Sequence, residues 1–256
     1  MSAQMRPLAL RWPRARVRDL VRVLLPALLP SSCALCGELA DGAVCAPCTL
    51  RYAAPGGPRC PGCANPLGAG EADGQTCAAC IAAPPAFDAT IVAGYYAAPL
   101  DSLVLGLKFG ARLPLAPWFA GRMRDAVLAR PGWPLPELLC PVPLGPRRLA
   151  ERGFNQALEI ARPLAAMLGV PLQPRLAMRA LETAAQSGVA PRERAGNIRG
   201  AFEVAAEMAA LVEGRHVGVV DDVMTSGHTL NELAATLKAA GAARVSNLVF
   251  ARTPPH

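Results

Sequence analysis

Residues 217–230, VGVVDDVMTSGHTL, constrain the fold of this chain more than any other stretch. The run of β-branched and small apolar residues predicts a buried strand, which ends at Asp221 and Asp222 directly before a loop rich in hydroxyls. From Thr229 to Ala240 apolar residues recur at helical spacing, so the loop should lie at a helix N-terminus. A strand that leads through a short loop into a helix is typical of an α/β protein with a mainly parallel sheet.

The loop between this strand and this helix has the composition of a phosphate-binding site. Backbone N–H groups and the positive end of the helix dipole can hold an anion there, and Gly227 lets the backbone approach it closely. The two carboxylates suit ribose hydroxyls or the hydration shell of Mg²⁺. The simpler alternative is a strand-to-helix turn in which the acid pair acts as turn former and cap. Here, however, the strand, the acid pair, the hydroxyl-rich loop and the helix all occur in register. The predicted site comprises Asp221, Asp222, Val223, Met224, Thr225, Ser226, Gly227, His228 and Thr229.

The same segment resembles the phosphoribosyl pyrophosphate signature of type I phosphoribosyltransferases. That signature is four apolar residues, two acids, two apolar residues and Thr-Thr-Gly-x-Thr, and Ser226 keeps the hydroxyl of the usual second Thr. The resemblance implies phosphoribosyl pyrophosphate or a nucleotide as ligand, bound with Mg²⁺. Neither a GxxxxGK P-loop nor a GxGxxG fingerprint is present, which argues against an ATPase or an NAD enzyme.

Eight of the nine cysteines occur as four CxxC pairs. A CxxC knuckle places both sulfurs on one side of a tight turn, so eight thiolates can complete two tetrahedral Zn²⁺ sites. Four disulfides would require a secreted domain, and a redox CxxC needs only one pair. We predict two structural zinc ions held by Cys33, Cys36, Cys45, Cys48, Cys60, Cys63, Cys77 and Cys80.

The spacing of the pairs favours two successive zinc ribbons but does not exclude interleaved pairing. Sequential pairing encloses 8 residues between Cys36 and Cys45 and 13 between Cys63 and Cys77. Residues 31–80 are poor in apolar side chains and could hardly form a core without metal. The ninth cysteine, Cys140 in LLCPVPL, is predicted to be a buried core residue.

Composition indicates one main domain with a small accessory unit. The chain has 256 residues, 52% hydrophobic and 18% charged, and no apolar run reaches the roughly 18 residues that a membrane span needs. Basic residues precede LVRVLLPALL near the N-terminus, but Arg22 interrupts that run and no small-x-small cleavage site follows. We therefore expect a cytoplasmic protein without a membrane span.

The net charge of +7 permits contact with nucleic acid or another polyanion but does not establish it. Arginine carries almost all of the excess, in residues 6–22 and again in two later loops. A phosphate-binding active site accounts for the later arginines as well as DNA would.

Periodicity in the rest of the chain predicts alternating strands and helices, and hence a parallel sheet that binds ligands at the carboxyl ends of its strands. Predicted strands are DATIVAGYY, ELLCPVPL and RVSNLVFAR, and predicted helices cover LDSLVLGLKF, residues 115–130 and residues 155–168, the last with Pro163 inside it. Residues 171–202 look polar and irregular. The predicted domains are a basic arm at 1–30, a double zinc ribbon with linker at 31–86 and a phosphoribosyltransferase-like domain at 87–256.

Together these motifs resemble the ComF family, phosphoribosyltransferase-like proteins with an N-terminal double zinc ribbon. The resemblance is carried by the four CxxC pairs, YYAAPLDSLVLGLKF, PVPLGPRRLAERGFNQ, ETAAQ, RERAGNIRGAF and the acid-pair loop. It implies a type I phosphoribosyltransferase fold, a pyrophosphate-binding loop after PVP and a mobile active-site flap from Thr183 to Asn197. It also implies partners in DNA uptake or processing.

Displacement of pyrophosphate from C1 of a phosphorylated ribose passes through an oxocarbenium-like state, so the protein must stabilise a departing polyanion. Asp221, Asp222 and Arg194 are the candidate catalytic residues, with Arg194 and Asn197 placed to close over the leaving group. Each arginine taken alone could equally be a solvated surface residue. The further candidates for substrate binding are Arg147, Arg148, Arg152, Asn155, Gln156 and Gln186.

Two functions follow from these expectations. One is a phosphoribosyltransferase-like protein that binds phosphoribosyl pyrophosphate or a nucleotide with Mg²⁺. The other is a non-catalytic nucleotide-binding adaptor that contacts single-stranded DNA or competence partners. Nothing in the sequence identifies an acceptor substrate.

Overall fold

The computed structural model describes residues 31–53, 56–68, 74–179 and 200–253. The chain divides into two compact units, Met1–Cys45 and Ala46–His256. In the first unit, β1 (Ser31–Ser32) pairs antiparallel with β2 (Leu39–Ala40). In the second unit, a parallel sheet carries the site described below. The domain limits expected from sequence remain a prediction.

The central sheet of the second unit contains four strands in the described residues, and all of its pairings are parallel. The spatial order is β3 (Ala89–Tyr95), β8 (Arg244–Arg252), β7 (His216–Met224) and β4 (Leu138–Pro141). The two central strands, β7 and β8, are buried along almost their whole length, as expected of apolar runs covered on both faces. The predicted α/β class and parallel sheet are confirmed.

Several helices contribute buried side chains to the core around the sheet. In chain order the helices of the described residues are α1 (Ala46–Tyr52), α2 (Ala78–Ala82), α3 (Leu100–Gly110), α4 (Leu115–Leu128), α5 (Pro146–Arg152), α6 (Gln156–Leu168), α7 (Ala206–Val212) and α8 (His228–Ala239). Helix α4 packs on β3, β8 and α6. Phe119 of α4 stacks on Phe250 of β8 with ring centroids 4.0 Å apart. Within the described ranges, no helix has the length and apolar character that crossing a membrane requires.

Two elements differ from the sequence prediction. The strand expected over 137–144 ends at Pro141, because proline cannot donate to a ladder and a second proline follows at 143. The segment 171–202, expected to be irregular, contains β5 (Met178–Arg179) and the first residue of β6 (Phe202–Glu203), and these two short strands pair antiparallel. Residues 180–199 lie outside the described part of the chain.

Candidate functional site

The acid pair lies near the carboxyl end of β7, and both side chains are buried. Lys108 Nζ is 2.7 Å from Asp222 Oδ2. Gln156 Nε2 donates to Asp222 Oδ1 over 3.5 Å. The backbone N–H of Asp222 donates to Asp221 Oδ1 at 2.9 Å. A buried carboxylate is stable only with such partners, and here they come from α3 and α6 as well as from the strand itself.

The electrostatics of this pair favour an added cation. Burial raises the pKa of Asp221 well above its usual value, and the neighbouring Asp222 carboxylate raises it further, while Lys108 opposes the shift. Burial also lowers the pKa of the Arg152 guanidinium, against the opposing effect of Asp222. A divalent cation nearby would favour the ionised form of Asp221. The donor set therefore fits Mg²⁺.

The loop after β7 leads into α8 with an open helix N-terminus. Gly227 is the N-cap residue at a φ of +82°, and no side chain caps the helix. Met224 is buried, whereas Thr225 and Ser226 face solvent. Ser226 Oγ lies 3.1 Å from His228 Nδ1. The first N–H groups of a helix have no partner within it, so this loop can receive a phosphate.

A cavity of about 770 Å³ adjoins the loop. Its lining combines cations with two aromatic rings, and it consists of Lys108, Phe109, Ala111, Leu144, Arg148, Glu151, Arg152, Phe154, Gln156 and Thr225. The Arg152 guanidinium lies 5.4 Å from the centroid of the Phe109 ring. The volume is in the range of small-molecule and cofactor sites.

The structure brings some predicted residues together and directs others elsewhere. Arg148, Arg152, Gln156 and Thr225 line the cavity. Arg147 is exposed, and its Nε lies 2.9 Å from Glu151 Oε1.

Asn155 does not belong to the cavity lining. It fixes the two ends of the segment after β4, which was predicted to bind pyrophosphate. Its side chain caps α6 by accepting from the Ala157 N–H at 3.0 Å. Its Nδ2 also donates to the Val142 carbonyl at 2.9 Å, which ties the helix to the segment after β4. The predicted residues Gln186, Arg194 and Asn197, and the predicted flap, lie outside the described residues.

Sequence reasoning missed Lys108 and Phe109. Helix α3 buries Leu100, Leu103, Val104 and Leu107. Lys108 follows Val104 by four residues and therefore continues that buried stripe, which is an unusual position for a lone cation. Phe109 is 75% exposed on the neighbouring face and lines the cavity. The lysine within an apolar stripe was the one local signal that could have identified this part of the site.

The eight paired cysteines form two clusters of four, in each of which all sulfurs lie within 4.8 Å of one another. One cluster is Cys33, Cys36, Cys45 and Cys48, and the other is Cys60, Cys63, Cys77 and Cys80. The predicted sequential pairing is confirmed.

The donor chemistry fits Zn²⁺. The N–H groups of Leu35 and Cys45 donate to Cys33 Sγ, and that of Cys77 donates to Cys60 Sγ, each at 3.4 Å. Burial alone would raise the thiol pKa, but these donors lower that of Cys33 to about 6 and that of Cys60 to about 7. Burial and neighbouring thiols raise the pKa of Cys63 to about 11. A bound cation would stabilise the thiolates and relieve the repulsion between them. Both clusters therefore fit structural zinc.

Cys140, the ninth cysteine, is fully buried in β4, and burial raises the pKa of its thiol to about 12. It is a core residue, as predicted.

Fold and site together define a protein with a double zinc ribbon and a phosphoribosyltransferase domain. Residues 24–81 match the double zinc ribbon domain family, and residues 155–255 match the phosphoribosyl transferase domain family. The chain belongs to the ComF family, as its relatives show.

Two relatives illustrate this membership. DNA utilization protein YhgH of Escherichia coli O6:H1 is 33% identical over 231 residues, which cover 88% of this chain and 98% of that protein. Competence protein F of Haemophilus influenzae is 32% identical over 182 residues, which cover 70% of this chain and 79% of the relative. Glutamine phosphoribosylpyrophosphate amidotransferase of B. subtilis is a distant structural neighbour, 20% identical with a TM-score of 0.34 over 52% of this chain and 25% of that one.

Proposed function

We propose that this chain binds a 5-phosphoribosyl ligand, phosphoribosyl pyrophosphate or a nucleotide, together with Mg²⁺, in the cavity beside β7. The observation that carries the proposal is the meeting of an acid pair, an open helix N-terminus and cavity-lining arginines at the carboxyl edge of one parallel sheet. In such sheets this edge is where ligands bind.

Each part of the site suits one part of that ligand. The loop from Thr225 to Thr229 suits the 5′-phosphate, and the acid pair suits the ribose hydroxyls. Arg148 and Arg152 line the cavity and suit the diphosphate. Mg²⁺ would neutralise diphosphate charge, held by the same carboxylates directly or through water. Arg194 and Asn197 remain proposed to close over the leaving group.

The proposal is tested by titrating the full-length, zinc-loaded protein with phosphoribosyl pyrophosphate in a calorimeter, with and without Mg²⁺. Replacement of Asp221 and Asp222 together by Asn should weaken binding at least tenfold, about 1.4 kcal/mol, because the hydroxyl acceptors and the cation site lose their charge. Omitting Mg²⁺ should weaken binding to wild-type protein.

The matched control changes the same number of charges at the surface. Asp41→Asn with Asp125→Asn alters carboxylates outside the cavity and should leave the titration within twofold of wild type. Identical titration curves for wild type and the acid-pair variant would place the site elsewhere.

A second function, that of a non-catalytic adaptor in DNA uptake, is favoured by the printed names of the relatives, a DNA utilization protein and a competence protein. Both functions share the ligand site and differ in turnover. Release of pyrophosphate from phosphoribosyl pyrophosphate in the presence of a panel of amine and nucleobase acceptors distinguishes them. Tight binding without turnover would favour the adaptor.

A further inference from the structure

Arg252, the last residue of β8, is a buried cation that joins two separate parts of the second unit. Its Nη1 donates to the carbonyl oxygens of Met224, at 3.0 Å, and of Thr225. Its Nε donates to the carbonyl oxygen of Cys63 at 3.2 Å. One guanidinium therefore contacts the phosphate loop and a zinc-ligand knuckle at once.

On the loop side, Arg252 holds the backbone where the strand ends and the phosphate loop begins. Met224 and Arg252 are paired in the β7–β8 register, and the N–H of Thr253 also donates to the Met224 carbonyl at 3.0 Å. The two carbonyls that Arg252 binds directly precede Ser226 and Gly227. Their orientation sets the path of the backbone into α8, and with it the direction of the anion-binding N–H groups.

On the zinc side, the knuckle is built into the core of the sheet. Cys60 and Cys63 belong to the same buried cluster as Met224. The N–H of Thr90 in β3 donates to the Pro61 carbonyl at 3.0 Å. The knuckle that presents the Cys63 carbonyl to Arg252 is therefore fixed on the sheet as long as its four thiols are held together.

Charge makes the link specific to this zinc site. Arg252 is only 6% exposed, and among the described residues it has no carboxylate within 4.0 Å. A buried cation needs a compensating charge. Four thiolates exceed the two charges of Zn²⁺, so the loaded site formed by Cys60, Cys63, Cys77 and Cys80 would be net negative. The Cys63 carbonyl of that site lies 3.2 Å from Arg252 Nε.

We propose that this second zinc site, acting through Arg252, holds the phosphate loop in its ligand-binding conformation. Arg252 is a positioning residue, and loss of the second zinc lowers the affinity of the loop for a phosphorylated sugar. The inference about affinity rests on the proposed function, whereas the inference about loop conformation does not.

The chain offers a matched pair of variants for the test, because its two zinc sites have the same ligand chemistry. Cys80→Ser removes a ligand of the second site and Cys36→Ser removes one of the first. In full-length protein, Cys80→Ser should accelerate hydrogen–deuterium exchange of the amides of residues 224–230 at least fivefold. It should weaken binding of Mg²⁺–phosphoribosyl pyrophosphate by a similar factor. Cys36→Ser should leave both within twofold of wild type.

A second pair of variants keeps the zinc ligands intact. Arg252→Lys preserves the charge, but the lysine side chain is shorter and ends in a single ammonium group. It cannot donate to the loop carbonyls and to the Cys63 carbonyl at the same time. It should accelerate loop exchange while the zinc content stays near two per chain. Arg244→Lys, at the other end of β8, is the control and should change neither.

The outcomes distinguish the proposed function from the link between the second zinc site and the phosphate loop. Wild-type protein that does not bind phosphoribosyl pyrophosphate refutes the proposed function, while the exchange data still test the link. If Arg252→Lys leaves the hydrogen–deuterium exchange of residues 224–230 unchanged, the link between the second zinc site and the phosphate loop is overturned. This test holds even if Cys80→Ser fails to fold. Equal acceleration by Cys36→Ser and Cys80→Ser overturns its specificity for the second zinc site.

Discussion

At the scale of single residues, Asp221 shows that the site is held at a cost in stability. Burial, and then the neighbouring Asp222, raise the pKa of Asp221 above its value in the unfolded chain. The folded protein therefore holds this proton to higher pH than the unfolded protein does. Stability falls as pH rises from the unfolded pKa towards the raised folded pKa. At neutral pH the raised pKa of Asp221 therefore lowers the stability of the fold relative to a group whose pKa is the same in both states.

Asp221→Asn should accordingly raise the free energy of unfolding at pH 7 by about 1 kcal/mol, while it weakens ligand binding. The gain over wild type should shrink as pH falls towards 4, where the wild-type carboxyl is already protonated. Thermal unfolding at several pH values in magnesium-free buffer measures this. The control is Asp125, a surface carboxylate that is ion-paired with Arg122 and Arg124. Asp125→Asn should show no such gain in stability. A less stable Asp221→Asn protein at pH 7 would contradict the argument.

At the scale of elements, the connection from β7 to α8 depends on one backbone conformation. Gly227 has a φ of +82°, and a Cβ there would lie 2.6 Å from Met224 Cε. Gly169, the C-cap of α6, has a φ of +68° with open space around it. The two glycines share the left-handed conformation, but only one of them belongs to the phosphate loop.

Gly227→Ala and Gly169→Ala should each cost about 1–2 kcal/mol of stability, because a Cβ disfavours the left-handed conformation. Only Gly227→Ala should weaken binding of phosphoribosyl pyrophosphate, by tenfold or more, since the methyl group meets Met224 and redirects the loop N–H groups. Chemical denaturation and calorimetric titration of both variants check this. Equal binding by the two proteins would remove the loop from the ligand site.

At the scale of the whole molecule, the net charge of +7 and the names of the relatives raise the question of DNA. The basic N-terminal arm lies outside the described residues, so its contribution has to be tested on the intact chain. Replacing Arg14, Arg16 and Arg18 by Ala should weaken single-stranded DNA binding. The slope of log affinity against log salt should become shallower by about 2, as expected for the loss of three phosphate contacts.

The control for this experiment removes three arginines that are already ion-paired at the surface, Arg122, Arg124 and Arg162. It should leave the salt slope close to that of wild type. Both variants should bind phosphoribosyl pyrophosphate as wild type does. The three control arginines do not belong to the cavity lining, and the arm is expected from the sequence to lie outside the ligand site. DNA affinity that is the same for the arm variant and wild type at every salt concentration would exclude the arm.

The sequence alone was sufficient for the parts that depend on local pattern. Apolar periodicity predicted the strand that ends in the acid pair and the helix that follows, because each forms from neighbouring residues. Four CxxC pairs predicted two zinc sites, since each knuckle is a local turn. Periodicity also predicted a helix over residues 155–168, and the structure has it as α6 (Gln156–Leu168).

Only the tertiary structure decided which distant side chains meet. Interleaved thiol pairing was open until the chain brought Cys45 and Cys48 to Cys33 and Cys36. Lys108 of α3 forms an ion pair with Asp222 of β7 across more than 100 positions of the chain. Arg147 pairs with Glu151 at the surface, although its neighbour Arg148 lines the cavity. The contact of Arg252 with Cys63 spans 189 positions in the chain. No local pattern encodes such a contact, because it arises from the packing of the sheet around one buried charge.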